Sequence, residues 1–144
     1  MLHITNSSFY TCKPHTKEEL QKIIIERIQD EGNECDLNDI DVSDITVMSF
    51  LFDVDVNEIF NDFNGDISLW NVSNVKDMRF MFNRCKKFNC DISDWNVSNV
   101  NDMNWMFWNC ENFNQNLNGW DVSNVIYMYN AFQFCPTKPT WYKQ

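Results

Sequence analysis

Residues 70–94 read WNVSNVKDMRFMFNRCKKFNCDISD, and residues 95–119 follow without a gap as WNVSNVNDMNWMFWNCENFNQNLNG. The same frame returns at residues 120–135, WDVSNVIYMYNAFQFC, so three copies lie at a period of 25 residues. An earlier copy opens at Ile40 as IDVSDITVMSFLF, carries five extra residues and rejoins the frame at Phe60. Its FNGDIS at 63–68 matches FNCDIS at 88–93. Self-similarity at a short fixed period marks units that cannot bury an apolar face alone and form a continuous core by stacking.

The apolar positions of one unit are Val72, Val75, Met78, Met81, Phe82, Cys85, Phe88 and Ile92. From Met78 to Cys85 they fall at i, i+3, i+4 and i+7, the stripe of an amphipathic helix. The β-branched Val72 and Val75 suit a short strand. The expected fold class is therefore an α/β repeat. It is a short leucine-rich-repeat-like solenoid of about four 25-residue coils (40–69, 70–94, 95–119 and 120–135), each an extended strand plus a short helix. Residues 1–39 form an N-terminal cap in this scheme. There Thr16 and Glu19 make a capping box, and Leu20, Ile23, Ile24 and Ile28 give an apolar stripe that stops at Gly32. This predicts a helix over about residues 17–31. Residues 136–144 form a C-terminal tail, where Pro136 and Pro139 end the pattern and Trp141 and Tyr142 are placed to fold back over the core.

Stacking at this period sets Trp70, Trp95 and Trp120 in one ladder and Phe63, Phe88 and Phe113 in another. The recurring Ser73, Ser98 and Ser123, with Asn74, Asn99 and Asn124, read as turn residues that satisfy backbone groups. Cys85, Cys110 and Cys135 share one position in the helix stripe. Packed helices lie about 8–10 Å apart, beyond the Cα spacing of about 4.4–6.8 Å that a disulfide needs, so buried thiols are expected. No C-x-x-C pair suggests a zinc site.

The 144 residues, 44% apolar and 22% charged, fit one globular domain. A net charge of -10 argues against docking on nucleic-acid phosphates or anionic lipid, which Lys and Arg drive. The charge lies wholly in residues 1–69, with 15 acids and 4 bases (-11), against 6 acids and 7 bases (+1) in residues 70–144. The only histidines, His3 and His15, fall outside the repeats and leave a repeat Ser or Cys without a base. The isolated glycines make no phosphate loop. The run from Asp53 to Glu58 begins like a calcium loop, yet it lacks Gly at the sixth position, and Asn64 stands where the bidentate Glu belongs. An enzyme, a cofactor and a metal are accordingly not expected. No apolar run reaches membrane length and residues 1–15 lack a signal-peptide core, so the expected location is the cytoplasm.

Two surfaces remain. Residues 40–69 hold seven acids and no base, among them Asp53, Asp55, Glu58 and Asp62. They serve solubility and turn chemistry or form an acidic face for a basic protein surface. Phe50, Phe80 and Trp105 share the position two residues after the first Met, about 200° round the expected helix from the core stripe. Trp108, Tyr127, Tyr129 and Phe134 add to the aromatics off that stripe. They pack on neighbours, self-associate or meet a partner. The candidate protein-binding set is thus Phe50, Phe80, Trp105, Trp108, Tyr127 and Tyr129 with the four acids. The expected function is a non-enzymatic protein–protein interaction module. The alternative is a small acidic intracellular inhibitor, of phage or mobile-element antidefence type, that blocks a nucleic-acid-binding enzyme.

The frame W-[ND]-V-S-N-V-x-x-M-x-x-M-F-x-x-C-x-x-F-N, over about residues 40–135, resembles the BspA-like leucine-rich-repeat surface proteins. More closely, it is similar to a bacterial repeat of about 25 to 26 residues in the mycoplasma-type surface-protein domain of unknown function. The resemblance implies a curved leucine-rich-repeat-type solenoid and a second alternative, a cell-surface adhesin. It implies no catalytic residues.

Overall fold

The computed structural model describes residues 9–143; the first eight residues of the expected cap, with His3, and Gln144 lie outside them. The helix α1 runs Lys17–Glu31. The Thr16 hydroxyl accepts the Glu19 N–H at 3.1 Å, which satisfies an open donor of the first turn, and the Glu19 carboxylate accepts the N–H of His15, just before the cap, at 2.9 Å. Gly32, at φ 95°, ends the helix by donating its N–H to the Ile28 carbonyl. Leu20, Ile24 and Ile28 are buried along one stripe. On the same helix Gln21 Nε2 donates to the Leu51 carbonyl at 3.1 Å, and Arg27 pairs with Asp39 at 2.5 Å. α1 therefore covers the start of the stack and satisfies a carbonyl there that has no preceding layer.

Beyond α1 the architecture differs from the expected α/β solenoid of strand–helix coils. No residue from Ile40 to Lys143 is α-helical, the 3-10 helix Glu58–Asp62 is the single helical turn there, and parallel pairing is confined to isolated bridges, with no sheet. Backbone conformation explains the missing helices. Phe80 and Arg84 have φ of 56° and 64°, and the matching Trp105 and Asn109 have 60° and 57°. A residue in the left-handed region cannot continue a right-handed helix. Instead the Met81 N–H reaches the Met78 carbonyl and the Cys85 N–H reaches the Phe82 carbonyl. Each closes a four-residue turn whose third residue holds the positive φ, the pattern of a type II turn. Between these bonds, the N–H groups of Met78, Phe80, Phe82 and Arg84 donate to Asp102, Asn104, Met106 and Trp108 of the next repeat at 2.8–3.0 Å.

The expected strand fails for a related reason. Asn71 Oδ1 accepts the Ser73 N–H at 3.1 Å, and the Val75 N–H returns to the Val72 carbonyl at 3.0 Å. A side-chain turn followed by a backbone turn bends the chain where a strand would run straight. Asp41, Asn96 and Asp121 do the same for Ser43, Ser98 and Ser123. Parallel contact shrinks to single-residue bridges, Val47↔Asp77↔Asp102↔Tyr127.

Residues one period apart are nonetheless neighbours. The Trp70, Trp95 and Trp120 rings stack at 6.4 and 6.5 Å with planes within 5°. Each indole N–H donates to a backbone carbonyl 28–33 residues earlier in the chain, those of Leu37, Ile67 and Ile92. Phe63, Phe88 and Phe113 form a second buried column, and Phe52, Phe82, Phe107 and Phe132 a third. Trp141 closes the far end, stacked on Trp120 at 6.4 Å with its N–H on the Leu117 carbonyl, while Tyr142 packs on Phe132. Among the described residues no helix is long and apolar enough to cross a membrane.

Candidate protein-binding face

The positive φ at the third position of each first turn swings Phe50, Phe80 and Trp105 away from the core while Met78, Met81 and Phe82 turn inward. The three rings stack in order, at 5.0 Å and 7° for Phe50–Phe80 and 5.7 Å and 3° for Phe80–Trp105. All three are half-buried: their faces meet one another and their edges meet solvent. Lys17 Nζ and the Arg79 guanidinium each lie 5.8 Å from the Phe50 ring centre, so cations cover the start of this ladder. At its other end Trp105 meets Trp108 at 5.6 Å and Tyr129 at 5.9 Å, both at steep angles. Phe134 packs edge-on against Trp108 at 5.7 Å. The structure thus brings Phe50, Phe80, Trp105, Trp108 and Tyr129 onto one face. Tyr127 is 55% exposed on the fourth repeat and makes none of these ring contacts.

The four acids divide differently. Asp53 does not belong to an exposed acidic face: only 2% of it is accessible. Its Oδ1 accepts the Asp55 N–H at 2.8 Å and an Asn83 Nδ2 proton at 3.0 Å, so the carboxylate builds a corner. Burial pushes its pKa above the ordinary carboxylate value, and the bonds from Asn83 and Asp55 oppose that push. Asp55 is exposed but engaged, with Arg84 at 3.0 Å and Asn83 at 3.1 Å. Glu58 and Asp62 are exposed on either end of the 3-10 turn. Two other acids of this region make corners, Asp41 holding Ser43 and Asp66 holding Ser68, while Asp44 faces Lys13 and His15.

The pKa shift gives a test. Because the folded form holds the Asp53 proton more tightly than the unfolded chain does, this group favours folding below the unfolded carboxylate pKa and loses that contribution as pH rises through the folded value. Asp53→Asn keeps an oxygen for both donors and removes the buried charge. Its melting temperature at pH 7 is expected to exceed that of wild type, and the difference to vanish as pH falls through the carboxylate range. Thermal melts across that range check the sign.

The cysteines are free thiols. Cys85, Cys110 and Cys135 donate to the carbonyls of Phe52, Phe82 and Phe107 at 2.8–3.0 Å, one column linking successive repeats. Burial holds the Cys85 and Cys110 thiols well above their ordinary pKa, and that of Cys90 is pushed up to about 11, so they stay protonated at neutral pH. No group of three or more His, Cys, Asp or Glu among the described residues is arranged to hold a metal ion.

Ile126 was absent from the sequence-derived set, and it is 72% exposed beside Tyr127. The signal for it lay in the repeat itself, since Lys76 and Asn101 hold the same position. Comparison with curated proteins and with solved structures gives no match. One family model, described as "Mycoplasma protein of unknown function, DUF285", matches residues 19–140, which takes in most of α1, all four repeats and the start of the tail. The chain belongs to that family.

Proposed function

We propose that this protein is a non-enzymatic interaction module that grips another protein with the Phe50–Phe80–Trp105 ladder and the adjoining Trp108 and Tyr129. The observation that carries the reading is the ladder itself. Each of its residues occupies a left-handed conformation that costs about 1–2 kcal/mol in a non-glycine residue, and in return its ring edge is held at the surface. Large aromatics supply most of the energy of interfaces, and their rigidity limits the entropy lost on binding. Asp55, Glu58 and Asp62 form the acidic flank, which steers a basic surface toward the ladder. Asp53, being internal, has no part in it.

The inhibitor reading, in which the acids imitate nucleic acid, draws on the same flank. It is weakened by the engagement of Asp55 with Arg84 and of other acids with backbone corners. A BspA-like surface adhesin draws on the repeat's sequence alone. Location in the cytoplasm is part of the proposal and is supported by the six free thiols.

The test is affinity capture from native lysate, then binding kinetics with the captured protein. Phe80→Ala and Trp105→Ala are each expected to weaken binding by about 2 kcal/mol or more, chiefly in the off-rate and with little salt dependence. Neutralising Asp55, Glu58 and Asp62 together is expected to slow association and to mimic raised salt. Binding that ignores both sets of changes, in variants that melt cooperatively, overturns the reading.

A further inference from the structure

We propose that the fourth repeat is a self-association surface, through which two copies of this chain pair tail to tail about a two-fold axis. At four outward positions the second and third repeats are polar: Lys76 and Asn101, Asp77 and Asp102, Arg79 and Asn104, Arg84 and Asn109. At the same four positions the fourth repeat carries Ile126, Tyr127, Tyr129 and Phe134, exposed by 72, 55, 60 and 60%. A single chance substitution at a surface needs no explanation, but all four positions change together between the third repeat and the fourth. The end of a stack ordinarily turns a polar face outward to stay soluble. This end does the opposite.

The chain's own tail does not cover the patch. It runs to the core end, where Trp141 lies on Trp120 and Tyr142 on Phe132, and the four side chains stay exposed. With side chains of this size, the four together present about 500 Å². That is at the upper end of the largest patch on an ordinary monomer. It is also more than half of the roughly 800 Å² per partner of a specific interface. The neighbouring Trp105 and Trp108 extend it.

Charge selects the occupant. Residues 122–135 contain no charged side chain, while the net charge of -11 sits in residues 1–69 at the opposite end. A second copy can therefore bring its own uncharged end against this one with the two acidic halves held farthest apart. The opposite, head-to-tail arrangement is blocked, because α1 already covers the first layer with Leu20, Ile24 and Ile28. What remains is an isologous contact, which closes at two subunits. Tyr129 belongs also to the face proposed above, but pairing needs only this chain and stands or falls without any other partner.

Sedimentation and light scattering on the purified chain test it. The mass is expected to rise from 17.3 kDa to twice that value as concentration passes through the micromolar range. The variant carrying Ile126→Asn, Tyr127→Asp, Tyr129→Asn and Phe134→Asn replaces each residue by the one the third repeat holds at that position. It is expected to stay at 17.3 kDa with a cooperative melt. Tyr127→Asp alone, which touches no ring contact within the chain, is expected to weaken pairing by about tenfold or more. A wild-type mass that stays at 17.3 kDa at several hundred micromolar overturns the proposal. So does pairing unchanged in Tyr127→Asp, or a cross-linking ladder that runs past the dimer.

Discussion

Trp95→Ala is expected to remove about 3–5 kcal/mol of stability, the range for deleting a large buried aromatic. Trp95 is 4% exposed and lies between Trp70 at 6.4 Å and Trp120 at 6.5 Å, so both ring faces lose their contacts at once. Phe82 also packs against its ring at 6.4 Å. The substitution further deletes the indole donor to the Ile67 carbonyl, a bond from the start of the third repeat to the end of the first. The cavity cannot close easily, because the neighbouring rings are themselves fixed by stacks above and below and by their own N–H bonds. For a chain of this length the loss corresponds to a fall in melting temperature of about 10–20 °C. Thermal unfolding followed by circular dichroism reads it. A fall of a degree or two would mean that the Trp column does not hold the layers together. Native stability is only about 5–15 kcal/mol, so this one ring accounts for a large share of it.

Which residues lie inside was legible in the sequence, and how the backbone gets them there was not. Met78, Met81, Phe82 and Cys85 are all fully buried, as an i, i+3, i+4, i+7 pattern demands. Yet two tandem four-residue turns bury the same set, because each begins and ends on the inner side, at Met78 and Met81 and at Phe82 and Cys85. Periodicity alone does not separate the two geometries. The separating feature is the positive φ at Phe80 and Arg84, and type II turns ordinarily advertise that with Gly. Here aromatic, Arg and Asn side chains occupy those positions, held there by inter-layer hydrogen bonds, so the usual cue is missing. α1 is the contrasting case, since its start and stop depend on local residues, Thr16, Glu19 and Gly32, which the sequence displays.

The candidate face was legible to a similar depth. The common position of Phe50, Phe80 and Trp105 identified a column pointing outward, although the angular argument behind it assumed a helix that does not form. Turn geometry gives the same side for a different reason. Asp53 was misassigned because a run of acids reads as a solvated surface, whereas corner-forming Asp residues place their carboxylates on backbone N–H groups two residues on. Nothing in the sequence alone distinguishes Asp53 from Asp55. The difference arises from the layer below, where Asn83 buries one and Arg84 draws the other outward.

Gly65→Ala is expected to be as damaging as the loss of a core side chain, at about 3 kcal/mol, although it adds only one methyl group. A β-carbon at Gly65 would lie 2.6 Å from the Cys35 carbonyl oxygen and 2.5 and 2.8 Å from the Phe63 ring. Neither neighbour can yield. The Cys35 carbonyl accepts the Asp66 N–H at 2.9 Å, the Leu37 N–H returns to the Asp66 carbonyl at 2.9 Å, and this pair of bonds forms the bridge between the lead-in and the first repeat. Phe63 is fully buried and stacked on Phe52 at 4.6 Å. The later repeats carry Cys90 and Gln115 at the matching position, so repeat comparison would pass Ala as harmless there. Only the lead-in, which runs close beside the first repeat, excludes it. Gly119→Ala is the control: nothing lies within 4 Å of its added carbon and its φ is not positive. It is expected to be neutral or to stabilise slightly by restricting the unfolded chain. Urea unfolding of the two variants, compared at equal m-value, separates close approach from a general intolerance of side chains. Equal midpoints for the two would show that the Cys35 carbonyl does not sit against Gly65, and would detach the segment between α1 and Ile40 from the first layer.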